Sequence, residues 1–155
     1  MASDVKFAIE KATADQVLAP ATVSEELEQS FLKKEKSSSI KMIPISFGVS
    51  VVVIGIAVLL VVFLKRFVIS FIGLVSVVYP IYAIYDAVAT SKAIKNHDYG
   101  FFYGEIISKN DSGAYQVKGL EGHDIPVLLG KKDYSAGDKV IVARVKDDLN
   151  IIAEE

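Results

Sequence analysis

Two stretches without a charged residue dominate the pattern of the chain. Met42 to Leu64 runs 23 positions and Phe67 to Tyr85 runs 19, with only Lys65 and Arg66 between them. Both are rich in Val, Ile, Leu and Phe. The hydrocarbon core of a bilayer is roughly 30 Å thick and takes about 20 apolar residues in helical form. The pattern predicts a transmembrane helical hairpin over 42–98, with spans at about 42–64 and 67–86. Behind Asp86, the run AVATSKAIK keeps good helix formers, so the second helix is expected to project to about Lys95. The turn would be tight, since Leu64-Lys65-Arg66-Phe67 itself reads as helix. The rival arrangement is one span plus a second helix lying along the membrane.

Residues 1–41 are polar. Val5, Ile9 and Ala12 give only a thin apolar stripe, which suggests a mobile tail. Thr22 with Glu25 fits a capping box, and Leu27 with Phe31 falls at helical spacing. A short helix is expected at about 22–36, ended by Ser37-Ser38-Ser39.

From Tyr99 the period changes to two. FFYGEIIS, GAYQVKGL, HDIPVLLG and KVIVARV are short β-rich runs, followed by LNIIAEE. Asn110-Asp111-Ser112-Gly113, Gly119 to Gly122 and Ser135-Ala136-Gly137-Asp138 break them. Four or five strands in so short a segment cannot form two packed sheets. They can close into a small barrel and so hide their edges. The expected fold class is therefore membrane α plus small all-β: a transmembrane hairpin followed by an OB- or SH3-like β-barrel over 99–155.

Charge refines this picture. The net charge is −2, and the module from Tyr99 onward has seven basic and ten acidic residues. A nucleic-acid partner is not expected, despite the aromatics that such a barrel carries. The chain has no cysteine, which excludes disulfides, thiolate catalysis and cysteine-held metals. The late, long first apolar run argues for a retained span instead of a cleaved signal peptide. Lys33, Lys34, Lys36, Lys41, Lys92 and Lys95 flank the spans on the tail side, against Lys65 and Arg66 at the tip. The positive-inside rule then places both termini in the cytoplasm.

Candidate chemistry is sparse. His97-Asp98 and His123-Asp124 sit where a helix end and a turn are expected, so a metal site is not predicted. No nucleophile, zinc or phosphate-loop motif occurs, and neither enzyme activity nor a cofactor is expected. Gly48, Gly55 and Gly73 are candidates for close helix packing, because small residues let helices approach in lipid. Tyr79, Tyr82 and Tyr85, with Lys65 and Arg66, are candidate interfacial anchors. Pro80 is expected to kink the second helix.

Gly104, Gly130, Ala136-Gly137, Val140, Val142, Val145 and Leu149 to Ile151 follow a pattern of small-Gly-x-x-Val-x-Val, an acidic turn, then Leu-x-Ile. With two helices before it, this ending resembles the short NfeD-like membrane proteins. The resemblance covers the last third of the chain. It implies an OB-fold barrel, a protein partner of the stomatin or flotillin type and a role in membrane organisation or quality control. The long polar tail and the very short hairpin depart from that family. The expected function is a non-enzymatic, membrane-anchored interaction module, with membrane lipid and a second copy as further partners. The alternative is an accessory subunit of a small transporter or channel.

Overall fold

The computed structural model describes residues 13–64, 70–131 and 133–155, with the side chains of all of these except 64, 70 and 71. Lys65, Arg66 and the stripe of Val5, Ile9 and Ala12 lie outside the described residues. The chain falls into two compact units. One joins the described residues up to Glu25 to Tyr99–Glu155, and the other is Glu26–Asp98.

The helical unit is built on α2 (Glu25–Leu64), α3 (Ser70–Ser76) and α4 (Val78–Lys95). The expected break at Ser37-Ser38-Ser39 is absent. Instead α2 runs unbroken for 40 residues, about 60 Å at 1.5 Å per residue. Pro44 lies inside it. The serines are weak helix formers, but packing outweighs propensity here: Ser39 is buried.

Buried positions on α2 recur at intervals of four and seven, along one helix face: Phe31, Glu35, Ser39, Ser46, Ser50 and Ala57. On α3 and α4 they are Gly73, Ser76, Pro80, Ala83, Ala87, Thr90 and Ala93. Nearly all are small. Such a seam lets two helices approach without relying on bulky apolar anchors. Large apolar residues face outward: Val51, Val62, Phe63, Leu74 and Ile81 are all more than half exposed. Both helical segments, Glu25–Phe63 and Ile72–Lys95, are long and apolar enough to cross a membrane.

The expected kink site is a local defect in the hydrogen-bond ladder. Val77 keeps helical dihedrals (φ −67, ψ −21), and its N–H donates to the Leu74 carbonyl at 3.2 Å. Pro80 brings no N–H for the carbonyl of Ser76, four residues back.

The other unit is an antiparallel sheet of β1 (Ala19–Pro20), β2 (Tyr99–Lys109), β3 (Tyr115–Val117), β4 (Lys139–Val145) and β5 (Asp148–Glu154). Its order is β1-β2-β4-β5, with β3 also on β2. β2 shares one edge between two partners. Its first half takes β1, with Ala19 opposite Tyr103 and Pro20 opposite Phe102. Its second half takes β3, with an irregularity within that pairing between Ile106 and Ser108.

These ladders form an open sheet. The run HDIPVLLG, expected as a strand, is a crossing segment held by single bridges, Tyr115 with Ile125 and Val127 with Ile151. Pro126 explains part of this, because it can accept from the Ile151 N–H at 2.9 Å but cannot donate.

The core gathers Phe102 and Ile106 from β2, Tyr115 and Val117 from β3, Val140 and Val142 from β4, and Ile151 from β5. Ala14, from the short helix α1 (Ala14–Val17), belongs to the same cluster. The segment expected as a mobile tail thus contributes a helical turn, an edge strand and a core residue to the sheet. β4 and β5 meet in a tight hairpin in which Val145 faces Asp148, and Lys146 takes φ +54.

Candidate functional site

The feature that sets this sheet apart is the strap formed by residues 13–21. Thr13 starts α1 through a reciprocal cap: its N–H donates to Gln16 Oε1 at 3.3 Å, and the Gln16 N–H donates to the Thr13 carbonyl at 3.0 Å. This turn sets Ala14, 1% exposed, into the core. Leu18 packs against the same cluster. The chain then extends as β1, and the Ala21 N–H donates to the Phe101 carbonyl at 2.8 Å.

One ion pair anchors the strap. Asp15 Oδ2 lies 2.8 Å from Arg144 Nε on β4. The Arg144 side chain is 19% exposed, and its Nη1 donates to the Lys146 carbonyl at 2.7 Å. That second bond holds the guanidinium in place beside the carboxylate. A cleft of about 250 Å³ lies here, lined by Thr13, Ala14, Asp15, His123, Arg144, Lys146, Asp147 and Leu149. A second cleft, about 520 Å³, runs along Val17 to Ala19, Tyr103 to Glu105, Lys118 and Lys139. The strap is therefore flanked by grooves at both ends.

Steric fit is tight at one point. A Cβ placed on Gly119, which has φ +87, would lie 2.3 Å from Val17 Cγ1. Glycine at 119 thus serves both the turn and the passage of the strap.

The other side chains of the module are engaged in structure. Asn110 Oδ1 accepts from the Ala114 N–H at 2.9 Å and from Ser112 Oγ at 2.7 Å, which builds the turn before β3. Its Nδ2 donates to Asp124 Oδ1 at 2.9 Å. Tyr115 Oη accepts from the Tyr134 N–H at 3.0 Å. Burial pushes the Tyr134 phenol above its ordinary pKa. Lys109 pairs with Asp133, and this bond holds the Asp133 carboxyl below its usual range. Lys131 pairs with Glu154, which raises the lysine. The Gly119 N–H donates to Glu121 Oε1 at 3.0 Å and lowers that carboxyl.

The residues singled out from the sequence separate clearly. Gly73 is a close-packing glycine: a Cβ there would lie 3.3 Å from Ala57 Cβ and 3.8 Å from Ile54 Cα. Gly48 and Gly55 have nothing within 4 Å and lie off the seam. Tyr79, Tyr82 and Tyr85 are 65%, 68% and 71% exposed, along the outer face of α4. His97 takes φ +58 in a Schellman end to α4: its N–H donates to the Ile94 carbonyl at 3.2 Å, and the Asp98 N–H donates to that of Ala93 at 2.9 Å. Among the described residues, no group of three or more acidic or histidine side chains is placed to hold a metal.

Gly104 and Gly130 both sit in close quarters. A Cβ on Gly104 would meet Val117 and Val142, and one on Gly130 would lie 2.5 Å from Tyr134 Oη. Val140, Val142 and Val145 are fully buried.

Sequence reading misses Ala14, Asp15, Leu18 and Arg144 as a group. The usable signal was Thr13 with Gln16, a second capping-box pattern. Compared with models of known protein families, with curated proteins and with solved structures, the chain matches none.

Proposed function

We propose that this chain is a two-span membrane anchor that presents a small interaction module on one side of the bilayer. The observation that carries the reading is the β1–β2 ladder. It joins Ala19 and Pro20, which precede the helices, to Tyr103 and Phe102, which follow them. A hydrogen-bonded sheet with a shared core does not straddle a bilayer, because its polar backbone has no partners in hydrocarbon. Both flanks therefore lie on the same side, and the helices between them cross an even number of times or not at all. The outward apolar faces of the helices favour crossing.

The helix register supports a common membrane level. Ser50 of α2 bonds Ser76. Nine residues back along α2 stands Lys41, and ten forward along α4 from Ser76 stands Asp86. These charges, the first met on each helix, fall at one height, beside the exposed Tyr85. From Lys41 to Leu64 α2 rises about 35 Å at 1.5 Å per residue, close to the roughly 30 Å of a hydrocarbon core. Lys33, Lys34, Lys36, Lys92 and Lys95 then stand beyond this level, and by the positive-inside rule this favours a cytoplasmic side for both flanks.

Hydroxyls within the apolar segments favour an anchor over a conduit. Ser46 Oγ donates to Ile43 O at 2.7 Å, and Ser50 Oγ and Ser76 Oγ donate to Ser76 O and Gly73 O at 2.6 Å each. All three serve helix structure. We read the sheet, with the single bridges that link β3 to β5 through residues 125–127, as a small OB- or SH3-like barrel. The acidic balance of the module favours a protein partner over nucleic acid. The resemblance to short NfeD-like proteins suggests one of the stomatin or flotillin type, and a place in membrane organisation or quality control.

The test uses the absence of native cysteine. Single cysteines at the exposed positions Thr22 and Ser112 are labelled in intact cells with a membrane-impermeant maleimide. Both should stay unlabelled until the membrane is permeabilised. Labelling of one without the other would overturn the anchor.

A further inference from the structure

We propose that the strap is a ligand held in cis, and that its seat is where the module binds a partner: a peptide segment whose helical turn carries a small apolar residue followed by an acid, and which then extends along the sheet edge. The inference rests on the reading of the module as an interaction domain, and it names the surface and the chemistry.

The strap engages the sheet as a bound peptide does. It adds a strand to an open edge, antiparallel to the first half of β2, through main-chain bonds that any extended segment can make. It adds one shallow apolar anchor, Ala14, in a socket of the core. It adds one charge contact, Asp15 on Arg144. The strand supplies main-chain affinity, and the helical turn before it supplies the side-chain seats. Here they select a small residue at the socket and a carboxylate beside the guanidinium.

Three features make the strap replaceable. β1 is only two residues long, and one of them is Pro20, which cannot donate to a further strand. Asp15 is half exposed, so water and a competing carboxylate can reach the pair. Residues 21–24, which join the strap to α2, form no helix or strand and can serve as a hinge. Tethering makes the strap a strong competitor at high effective concentration. A foreign segment gains access by higher intrinsic affinity, or when the strap is drawn off.

The experiment keeps the full chain in detergent micelles. A site for a sequence-specific protease is inserted after Thr22, and a fluorescent peptide of residues 13–22 serves as the probe. Before cleavage the probe should bind weakly. After cleavage it should bind saturably, with affinity at least tenfold higher, while the β signal in circular dichroism persists. A probe with Asp15→Lys should bind about tenfold more weakly, because a like charge then faces the guanidinium. Replacing Arg144→Glu in the protein should reverse that preference.

Failure of the probe to enter the cleaved protein while the sheet stays folded would overturn the proposal. So would loss of the sheet once the strap leaves, since the strap would then be core and not ligand. Dimers formed by exchange of straps between two copies would make the chain its own partner and overturn a foreign segment. Each of these results leaves the same-side topology intact, which the cysteine labelling judges separately.

Discussion

Ser50 Oγ donates a 2.6 Å hydrogen bond to the carbonyl of Ser76, the acceptor that Pro80 leaves without a helical donor. Residue 80 creates the vacancy on one helix, and residue 50 fills it from another. The Gly73 carbonyl one turn earlier accepts Ser76 Oγ at 2.6 Å. Two serines thus repair the ladder around one proline, and one of them ties the hairpin together in doing so.

Ser50→Ala should destabilise the hairpin by about 0.6–2 kcal/mol, the range for interhelical hydrogen bonds in membranes. In a Pro80→Ala background the new N–H can return to the Ser76 carbonyl, and the same change should cost close to nothing. A double-mutant cycle from reversible unfolding in mixed micelles reads the coupling. Equal costs in both backgrounds would refute the repair.

Gly73→Leu should separate from Gly48→Leu and Gly55→Leu. The first drives a side chain against Ala57 and Ile54 and should cost about 1–3 kcal/mol. The other two meet open space, so the hairpin should keep its stability. If they lower cross-linked oligomers in membranes, self-association runs over that outer face of α2. If Gly73→Leu is as silent as the others, the seam is misplaced.

Within the sheet, Gly104→Ala would set a Cβ 2.8 Å from Val117 Cγ1 and 3.0 Å from Val142 Cγ2. A loss of about 1–3 kcal/mol is expected for such overpacking. Val142→Asp should abolish the fold, because Val142 is fully buried and an unpaired charge there has no partner. Circular dichroism melts of the two variants give the ranking.

Acid and alkali should each weaken the tie between Lys109 and Asp133. The hydrogen bond from Lys109 lowers Asp133 from its ordinary 3.8. The pair's contribution is present above that value and is lost as pH falls through the lower folded value. The bond to Asp133 raises Lys109 from 10.5, so the contribution is full below 10.5 and disappears as pH rises through the higher folded value. Both groups are exposed, so the effect should be small and should fade in salt. Lys109→Met should flatten the melting temperature below pH 4; an unchanged slope would place the acid sensitivity elsewhere.

The sequence makes the large helices legible because each apolar run is long and self-reporting. Val140, Val142 and Ile151 are legible for a similar reason: alternation needs only its own strand. The strap is hidden because its meaning is non-local. Ala19 and Pro20 show no β pattern alone, and their partners Tyr103 and Phe102 lie more than 80 residues away. The unbroken α2 is misread at Ser37 to Ser39 because polarity there reads as an end, whereas a seam of small residues wants serine. The crossing at residues 125–128 looks like a strand by composition, and Pro126 limits it to single bridges.

The pairing of β1 with β2 also imposes an order on biogenesis. The strap leaves the ribosome before its partner strand, which is made only after both apolar helices. At typical rates of about 5–20 residues per second, roughly 4–16 s separate the two. During that interval Ala14 and Leu18 have no core to enter, and the edge they will cover does not exist. In the topology proposed above, insertion of the hairpin has to return the nascent chain to the compartment where the strap waits. A chain inserted with the opposite parity leaves its two halves on different sides of the bilayer, where no later folding step can bring them together.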